Sequence, residues 1–255
     1  MKHYALIGHP VAHSLSATLF DDYCREHGIT GSRYLLCDMQ EEQLRPAALR
    51  QWVTDNEIYG FNVTVPYKRT IIASLDYLTP AAETVGAVNC IAVSRQGGRV
   101  VLAGHNTDAA AFEQTLRPLL LPHHRAAIIL GTGGAAHAVA YALRTLGIDY
   151  RYVSRRPELS PLAGSVIGYG EAAEQCGYRL LIVNATPVGM APAVEATPWP
   201  YAYLLDERHL CYDLIYAPAE SRFLCEARQR GAATCNGLAM LHRQALLSYT
   251  LWDVK

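Results

Sequence analysis

The sequence lacks an excess of charge of either sign, and this limits the partners that the protein could bind. Its 255 residues include 22 basic and 23 acidic side chains, and the formal net charge is −1. The two signs are interspersed, whereas a surface for nucleic acid or for an anionic membrane is usually strongly basic. We therefore predict that the protein binds neither nucleic acid nor a membrane.

Long hydrophobic runs and paired cysteines are also missing. Residues 126–143 carry no charged side chain, but Thr132, His137 and several glycines interrupt them, so they predict a strand and a helix rather than a membrane span. The first ten residues contain a short apolar run and no small-residue cleavage site, which predicts no signal peptide. The seven cysteines are scattered and form no CxxC pair. They predict reduced thiols, a cytoplasmic location and no metal site.

The strongest local motif in the sequence is a glycine-rich turn. Gly131, Gly133 and Ala136 fit the GxGxx(G/A) fingerprint of dinucleotide-binding units, in which the second glycine lets the backbone approach a pyrophosphate. The flanking residues predict the strand, helix and strand of a βαβ unit, at 126–130, 135–146 and 150–153. Because glycines also occur in ordinary strand–helix connections, these flanks are what favours a cofactor site.

The residues after the second strand of this unit bear on which dinucleotide is bound. An NAD-binding protein usually has Asp or Glu about twenty residues past the glycines, where it holds the ribose hydroxyls. This chain has Ser154, Arg155 and Arg156 there, and two guanidiniums suit the 2′-phosphate of NADP. The alternative is two solvated surface arginines. Glu158 is the one nearby feature that would permit some use of NAD.

In the N-terminal half, residues 61–65 alternate with a period of two, which predicts a strand with Asn62 and Thr64 on a polar face. Its core face would consist of Phe61, Val63 and Val65. Lys68 follows the proline that closes this strand, at the mouth of whatever cleft the polar face lines. An isolated lysine after a strand is more often a solvated charge. Before this strand, residues 41–54 predict one helix.

Two polar clusters at helix starts have competing explanations. Ser14 and Ser16 could present two hydroxyls to a carboxylate, and one of them could cap the following helix; both can hold at once, and this stretch alone favours capping. Asp108 would suit the dipole of a second helix, for which Asn106 or Thr107 could act as the cap.

Two further patterns complete the outline of the chain. Gly97-Gly98 predicts the turn of a β-hairpin, and apolar residues at helical spacing predict a C-terminal helix at about 237–252. The buried stripe of this helix would consist of Leu238, Leu241, Ala245, Tyr249 and Trp252. Gln244 flanks the stripe, where a glutamine is more often a boundary residue than a ligand.

Seven segments of the chain together resemble the shikimate dehydrogenase family, and the resemblance covers the whole sequence. They occur in the family's order, which makes the set far more specific than any one of them: Ser14-Leu15-Ser16, 62–68, 86–89, 106–108, 131–135, 184–187, and Met240-Leu241 with Gln244. The chain departs from the family pattern at a few positions: Cys90 stands for a threonine, Ala109 and Ala111 for glycines, and Ser154-Arg155-Arg156 for Asn-Arg-Thr.

The resemblance implies an α/β fold of two domains. A substrate-binding domain at 1–105, completed by a C-terminal helix at 237–255, would be joined to a Rossmann-type NADP-binding domain at 106–236, with a cleft between them. The implied reaction is the reversible, NADP-dependent reduction of 3-dehydroshikimate to shikimate, in chorismate and aromatic amino acid biosynthesis. No metal is needed, because an ammonium group can polarise the carbonyl. The assembly would be a monomer or a homodimer.

The resemblance also implies the roles of individual residues. Lys68 would carry the proton and Asp108 would orient it, as the catalytic pair. The substrate-binding residues would be Ser14, Ser16, Asn62, Thr64, Lys68, Asn89, Asp108, Tyr216 and Gln244, with the serines on the carboxylate. The cofactor-binding residues would be Gly131, Thr132, Gly133, Gly134, Ala135, Ser154, Arg155, Arg156, Thr186 and, near the nicotinamide, Gly237.

Two other functions remain open from the sequence. One is a quinate/shikimate dehydrogenase that also uses NAD. The other is a non-catalytic NADP-sensing protein, against which Lys68 and Asp108 weigh because a sensor needs no pair for proton transfer.

Overall fold

The computed structural model describes residues 1–159 and 165–254, which form two compact units. One unit consists of Met1–Thr107 together with the C-terminal segment from His242, and the other of Asp108–Leu241. Each unit contains a six-stranded sheet with helices, so the predicted α/β class is confirmed. Within the described residues, no helix has the length and apolar character needed to cross a membrane. The predicted C-terminal segment includes Lys255, which lies outside the described residues.

The sheet of the first unit combines parallel and antiparallel strands. Its strands are β1 (Lys2–Gly8), β2 (Ser32–Asp38), β3 (Ile58–Val63), β4 (Tyr77–Leu78), β5 (Cys90–Gln96) and β6 (Arg99–His105), in the order β2-β1-β3-β5-β6-β4. β1 is parallel to both of its neighbours, whereas β5 runs antiparallel to β3 and β6. Gly97 and Gly98 have φ of 57° and 79°, which only glycine adopts readily, and they confirm the predicted hairpin.

The predicted helix over 41–54 is divided in the structure. A short 3₁₀ turn covers Glu41–Leu44, and an α-helix begins only at Pro46. Arg45 between them is extended, with ψ of 148°, because a proline ring disfavours the helical conformation of the preceding residue. Proline is well suited to the first position of a helix, which is where Pro46 lies. The three α-helices near the N-terminus are α1 (Ser16–Glu26), α2 (Pro46–Asp55) and α3 (Pro80–Val85).

The alternation predicted around β3 holds only in part. Phe61 and Val63 are buried in the core, but the strand ends at Val63 and Val65 is 68% exposed. The prediction for Val65 is therefore wrong, because it assumed that the strand continues to the proline. Asn62 is buried as well, so the face that carries it is covered rather than open to water.

The sheet of the second unit is entirely parallel. Its strands are β7 (Ala126–Leu130), β8 (Asp149–Val153), β9 (Val166–Ile167), β10 (Leu181–Asn184), β11 (Leu210–Asp213) and β12 (Ala233–Cys235). Across the sheet they follow the order β9-β8-β7-β10-β11-β12, which is the doubly wound order 3-2-1-4-5-6. In such a sheet, ligands bind beyond the carboxyl ends of the strands near β7 and β10, where the strand order reverses.

Helices of the second unit lie before and between these strands. They are α4 (Thr107–Leu116), α5 (Gly134–Thr145), α6 (Tyr169–Gln175) and α7 (Arg222–Gln229). The observed β7, α5 and β8 agree within a residue or so with the predicted βαβ unit.

The C-terminal helix α8 covers Leu238–Leu251. Ala245, Tyr249 and Trp252 are buried as predicted and pack in an aromatic cluster of the first unit, but Leu238 is 42% exposed, so its predicted burial is wrong. The helical period locates the stripe but not the turn at which it meets the core. The first residue of α8 that belongs to this cluster is Ala245, about two turns after the helix begins.

Candidate active site

The turn between β7 and α5 is shaped by two glycines with different physical roles. Gly131 has φ of 103°, and a Cβ there would lie 2.9 Å from Cγ2 of Thr186, so a larger residue fits neither the backbone nor the space. Gly133 is the N-cap of α5, and a Cβ at that position would meet nothing within 4 Å. The turn is therefore open at Gly133, beside the helix N-terminus whose amides attract an anion. Ala136 is fully buried, as the fingerprint requires.

A cavity of about 620 Å³ lies at this turn, within the range of ordinary ligand pockets. Six of the predicted cofactor residues line it: Gly131, Thr132, Gly133, Ser154, Arg155 and Thr186. Among the described residues, four other predicted ones are not part of its wall: Gly134, Ala135, Arg156 and Gly237. Sequence reasoning missed four other residues that line the cavity and gave no recognisable signal: Tyr169, Thr197, Pro198 and Pro200.

The two arginines after β8 differ in their surroundings. Arg155 and Tyr169 both line the cavity. Burial raises the pKa of the Tyr169 phenol, and the positive charge of Arg155 acts in the opposite direction. Arg156 is exposed, and its backbone N–H donates to Oγ of Ser154 over 3.1 Å, which shapes the turn. Glu158 is also exposed. Arg155, which stands at the arginine of the family pattern, is therefore on the cavity wall, and Arg156 is not.

The loop after β10 is held by a buried polar network. Asn184 donates to Oδ1 of Asp213 over 2.9 Å, and its own Oδ1 accepts from the backbone N–H and the hydroxyl of Thr186, at 3.0 and 2.7 Å. Ser221 donates to the other oxygen of Asp213. Burial raises the pKa of Asp213, while these hydrogen bonds act in the opposite direction. Thr186 is therefore held in place by Asn184, which is itself fixed by Asp213, and neither of these two residues lines the cavity.

Gly237 and Tyr216 follow β11 outside the cavity wall. A Cβ on Gly237 would lie 2.1 Å from the carbonyl oxygen of Leu214, so the glycine is explained by close backbone packing. Tyr216 is partly buried, and burial raises the pKa of its phenol. Their assignments to the nicotinamide and to the substrate stay predictions.

In the first unit, the structure brings together three amide side chains that the sequence assigned to substrate. Asn62 donates to the carbonyl oxygen of Asn89 at 3.0 Å, and Asn89 contacts Oε1 of Gln244 at 3.4 Å. Asn89 also donates to the hydroxyl of Thr107 and accepts from its backbone N–H, at 2.8 and 2.7 Å. These bonds anchor the start of α4, at the residue immediately before Asp108.

Ser14 and Ser16 form a local pair rather than a simple cap. Oγ of Ser14 donates to Oγ of Ser16 at 3.0 Å and accepts from the backbone N–H of Ser16 at 3.2 Å. The N-cap residue of α1 is Leu15, which has no capping side chain, so the capping explanation is wrong in its strict form. Both hydroxyls are consequently close enough to each other to meet one carboxylate.

The remaining predicted residues lie on backbone segments that these contacts hold. The carbonyl of Lys68 accepts from the N–H of Val88 at 2.7 Å, and the backbone N–H of Thr64 donates to the carbonyl of Ile7 at 2.9 Å. Asp108 is 8% exposed in the first turn of α4. The described residues contain no group of three or more His, Cys, Asp or Glu that could hold a metal ion.

Comparison with known proteins identifies the family. Residues 6–91 match the model of the shikimate dehydrogenase substrate binding domain. A shikimate dehydrogenase (NADP(+)) from Thermus thermophilus is 38% identical over 253 residues, which cover 99% of this chain and 92% of that protein. The chain belongs to the shikimate dehydrogenase family.

Solved structures of this family share the fold over nearly the whole chain. Shikimate 5-dehydrogenase from a second strain of Thermus thermophilus, in complex with NADP(H) and shikimate, is 36% identical with a TM-score of 0.85, covering 99% of this chain and 93% of that one. A quinate dehydrogenase from Corynebacterium glutamicum in complex with NAD is 25% identical with a TM-score of 0.84, covering 99% and 94%. Fold alone therefore does not separate shikimate from quinate dehydrogenases.

Proposed function

We propose that the protein catalyses the reversible, NADP-dependent reduction of 3-dehydroshikimate to shikimate. The observation that carries the proposal is the cavity at the glycine turn with Arg155 on its wall. The open face at Gly133 admits a pyrophosphate, and the arginine suits a 2′-phosphate, so the residues present fit NADP. In this proposal the second unit binds the cofactor and the first unit binds the substrate.

The substrate is recognised by hydrogen-bonding groups, most of which belong to the first unit, whereas Asp108 and Tyr216 belong to the second. Ser14 and Ser16 donate to its carboxylate, while Asn89 and Gln244 contact ring hydroxyls. An amide both donates and accepts, as a hydroxyl does, so neighbouring amides match a ring that carries several hydroxyls. Asn62, Thr64 and Tyr216 complete the proposed substrate-binding set.

Lys68 carries the proton of the reaction. When bound, NADPH supplies the hydride that adds to the carbonyl carbon. Lys68 donates a proton from its ammonium group to the carbonyl oxygen as the alcohol forms, and its neutral form takes the proton back in the reverse direction. Asp108 is the second catalytic residue and accepts a hydrogen bond from a ring hydroxyl.

A steady-state assay of the purified protein tests this function. Shikimate and quinate are each combined with NADP and with NAD, and kcat/KM is compared for the four pairs. We expect the highest value for shikimate with NADP. Higher efficiency with quinate, or with NAD, would favour the quinate/shikimate alternative, and a protein that binds NADP without turnover of either substrate would be a sensor.

Location and assembly are part of the proposal. All seven cysteines are free thiols, which suits a reducing compartment such as the cytoplasm. We expect a monomer or a homodimer, which sedimentation at several protein concentrations distinguishes.

A further inference from the structure

A fully buried carboxylate at the end of β11 is connected by hydrogen bonds to the wall of the cavity. Asp213 is the last residue of β11 and lies in register with Asn184, the last residue of β10. Its Oδ1 accepts from the side-chain N–H of Asn184 at 2.9 Å and from the backbone N–H of Ile215 at 3.0 Å, and its Oδ2 accepts from the hydroxyl of Ser221. Asn184 is also fully buried, so water does not readily replace either partner.

The orientation of the Asn184 amide follows from partners that can only accept or only donate. Its nitrogen is 3.3 Å from the carbonyl oxygen of Val188, which only accepts, and its Oδ1 is 3.0 Å from the backbone N–H of Thr186, which only donates. The NH₂ group therefore faces Asp213 and Val188, and the amide oxygen faces Thr186. A reversed amide would direct an N–H group at the backbone N–H of Thr186.

The same reasoning fixes the hydrogen of the Thr186 hydroxyl. The backbone N–H of Val188 donates to Oγ1 at 3.2 Å, so the hydroxyl hydrogen does not point there and is donated to Oδ1 of Asn184 at 2.7 Å. A hydroxyl has one hydrogen and two acceptor lone pairs, so one lone pair remains for a ligand. Towards the cavity Thr186 can therefore only accept, which suits an O–H or N–H group and not a pyrophosphate oxygen.

We propose that Asp213 is a positioning residue of the cofactor site, which orients Asn184 so that Thr186 accepts a hydrogen bond from an O–H or N–H group of the bound dinucleotide. The inference rests on the proposed function, because it takes this cavity as the NADP site. Without the carboxylate, one N–H of Asn184 has no acceptor, and the amide is free to leave Thr186. Binding of the cofactor then has to supply this ordering.

Titration calorimetry with NADP tests the proposal without turnover. We expect the dissociation constant to rise roughly three- to tenfold in Asp213→Ala, the usual effect of one lost hydrogen bond. Asp213→Asn keeps an oxygen for Asn184 and Ile215, and its NH₂ group can donate to Ser221, so it should restore the constant to within about twofold of the parent. KM for shikimate should not change in either variant. Unchanged NADP affinity in Asp213→Ala, or an equal loss in Asp213→Asn, overturns the proposal.

Ser221→Ala is a matched control, because it removes another hydrogen bond of the same carboxylate. Ser221 is also the N-cap of α7, where its Oγ accepts from the backbone N–H of Leu224 at 3.4 Å, so the variant should have a lower free energy of unfolding. It leaves Asn184 and Thr186 bonded, and the NADP constant should stay within about twofold. An equal rise in Ser221→Ala and Asp213→Ala would indicate general damage and contradict the role.

Thr186→Val tests the same path at the cavity wall. Valine keeps the branched shape beside Gly131 and lacks the hydroxyl, so NADP should again bind roughly three- to tenfold more weakly. Because Asp213 acts through Thr186, the double variant Asp213→Ala/Thr186→Val should lose less than the product of the two single effects. If Asp213→Ala does not fold, Asn184→Ala replaces it in this comparison, since it breaks the same path one bond later. Full affinity in Thr186→Val, or fully multiplicative effects, contradicts the proposal.

Two further ligands identify the group that Thr186 binds. The 3-acetylpyridine analogue of NADP has a methyl ketone in place of the carboxamide and therefore lacks its N–H groups. If Thr186→Val weakens NADP alone, the donor is the carboxamide, whereas an equal loss for the analogue assigns the bond to another donor, such as a ribose hydroxyl. Weaker competition by inorganic pyrophosphate in Thr186→Val would show that the hydroxyl donates to phosphate, which overturns the proposal.

The parent protein distinguishes failure of this inference from failure of the function. A parent that binds NADP without turnover of shikimate removes the proposed function, and the same titrations still decide the role of Asp213. A parent that does not bind NADP removes both. An active parent with unaffected NADP affinity in Asp213→Ala removes only the role of Asp213.

Discussion

Replacement of Arg155 by alanine should weaken NADP and leave NAD nearly unchanged. Arg155 is on the wall of the 620 Å³ cavity, after the end of β8, where an NAD enzyme usually has an acidic residue. Its guanidinium can hold a 2′-phosphate with charge-assisted hydrogen bonds, and NAD has no phosphate there to lose. Arg155→Ala therefore removes a contact to the 2′-phosphate of NADP and none to NAD.

The expected magnitude follows from the exposure of the side chain. A hydrogen bond to a charged group contributes about 1.5 to 3 kcal/mol, which corresponds to roughly ten- to a hundredfold in affinity. Arg155 is exposed to solvent, where water and salt screen its charge, so we expect the lower end, about tenfold. The loss should shrink further as ionic strength rises, because screening already weakens the contact in the parent.

The assay compares the dissociation constants of NADP and NAD for the parent and for matched arginine variants. Arg144→Ala removes the same charge from α5, where the guanidinium lies over the ring of Tyr141, and should leave both constants unchanged. Arg156→Ala decides between the two arginines and should have the smaller effect, because Arg156 is not on the cavity wall. The reasoning is refuted if Arg155→Ala weakens both cofactors alike, or if the parent prefers NAD.

Three further predictions follow from the same structure. Lys68→Ala should lower kcat by roughly two to four orders of magnitude while shikimate still binds; turnover within a few-fold of the parent would exclude this lysine as the proton carrier. Ser14→Ala and Ser16→Ala should mainly raise KM, about ten- to a hundredfold each, since bonds to an unreactive carboxylate are equal in ground and transition states; unchanged shikimate affinity would contradict the carboxylate role. The backbone N–H of Leu102 and the nearby Arg50 lower the pKa of Asp76, so its stabilising effect should be complete at pH 7 and disappear as the pH falls through that lowered pKa. The free energy of urea unfolding should therefore differ between parent and Asp76→Asn at pH 7, and the difference should disappear once the pH is below the lowered pKa of Asp76. A difference that stays constant with pH would argue against the ionised carboxylate as its source.

The sequence predicts turns and element boundaries most accurately where they depend on local constraints on the backbone. The turns at Gly97-Gly98 and Gly131 need positive φ, which glycine adopts most readily, and the βαβ unit follows from the hydrophobic pattern around the glycines. The division of residues 41–54 was also readable from Pro46, whose effect on Arg45 is local. This division is a local effect of the proline, so it can be predicted from the sequence without the tertiary structure.

Burial at the ends of elements depends on what packs there. Val65 continues the alternation of β3 and Leu238 continues the stripe of α8, yet both are exposed. Periodicity predicts which residues lie on the same face of a strand or helix. It does not predict how much of that face is covered by the element that packs against it. The same limit applies to Asn62, whose polar face is covered by partners distant in sequence.

The sequence by itself determined the α/β class, the glycine turn of a dinucleotide site and the segments that identify the family, because these depend on residue type and short spacing. Only the tertiary structure decided which side chains meet. Asn89 and Gln244 are 155 residues apart, and Asn62 and Ser248 are 186 apart, yet each pair is in contact. Asp213 shows no functional signal in the sequence, and the fold brings Asn184 and Ser221 into hydrogen-bond contact with it. Arg155 and Arg156 are adjacent and chemically identical, and only the path of the backbone after β8 puts Arg155 rather than Arg156 on the cavity wall.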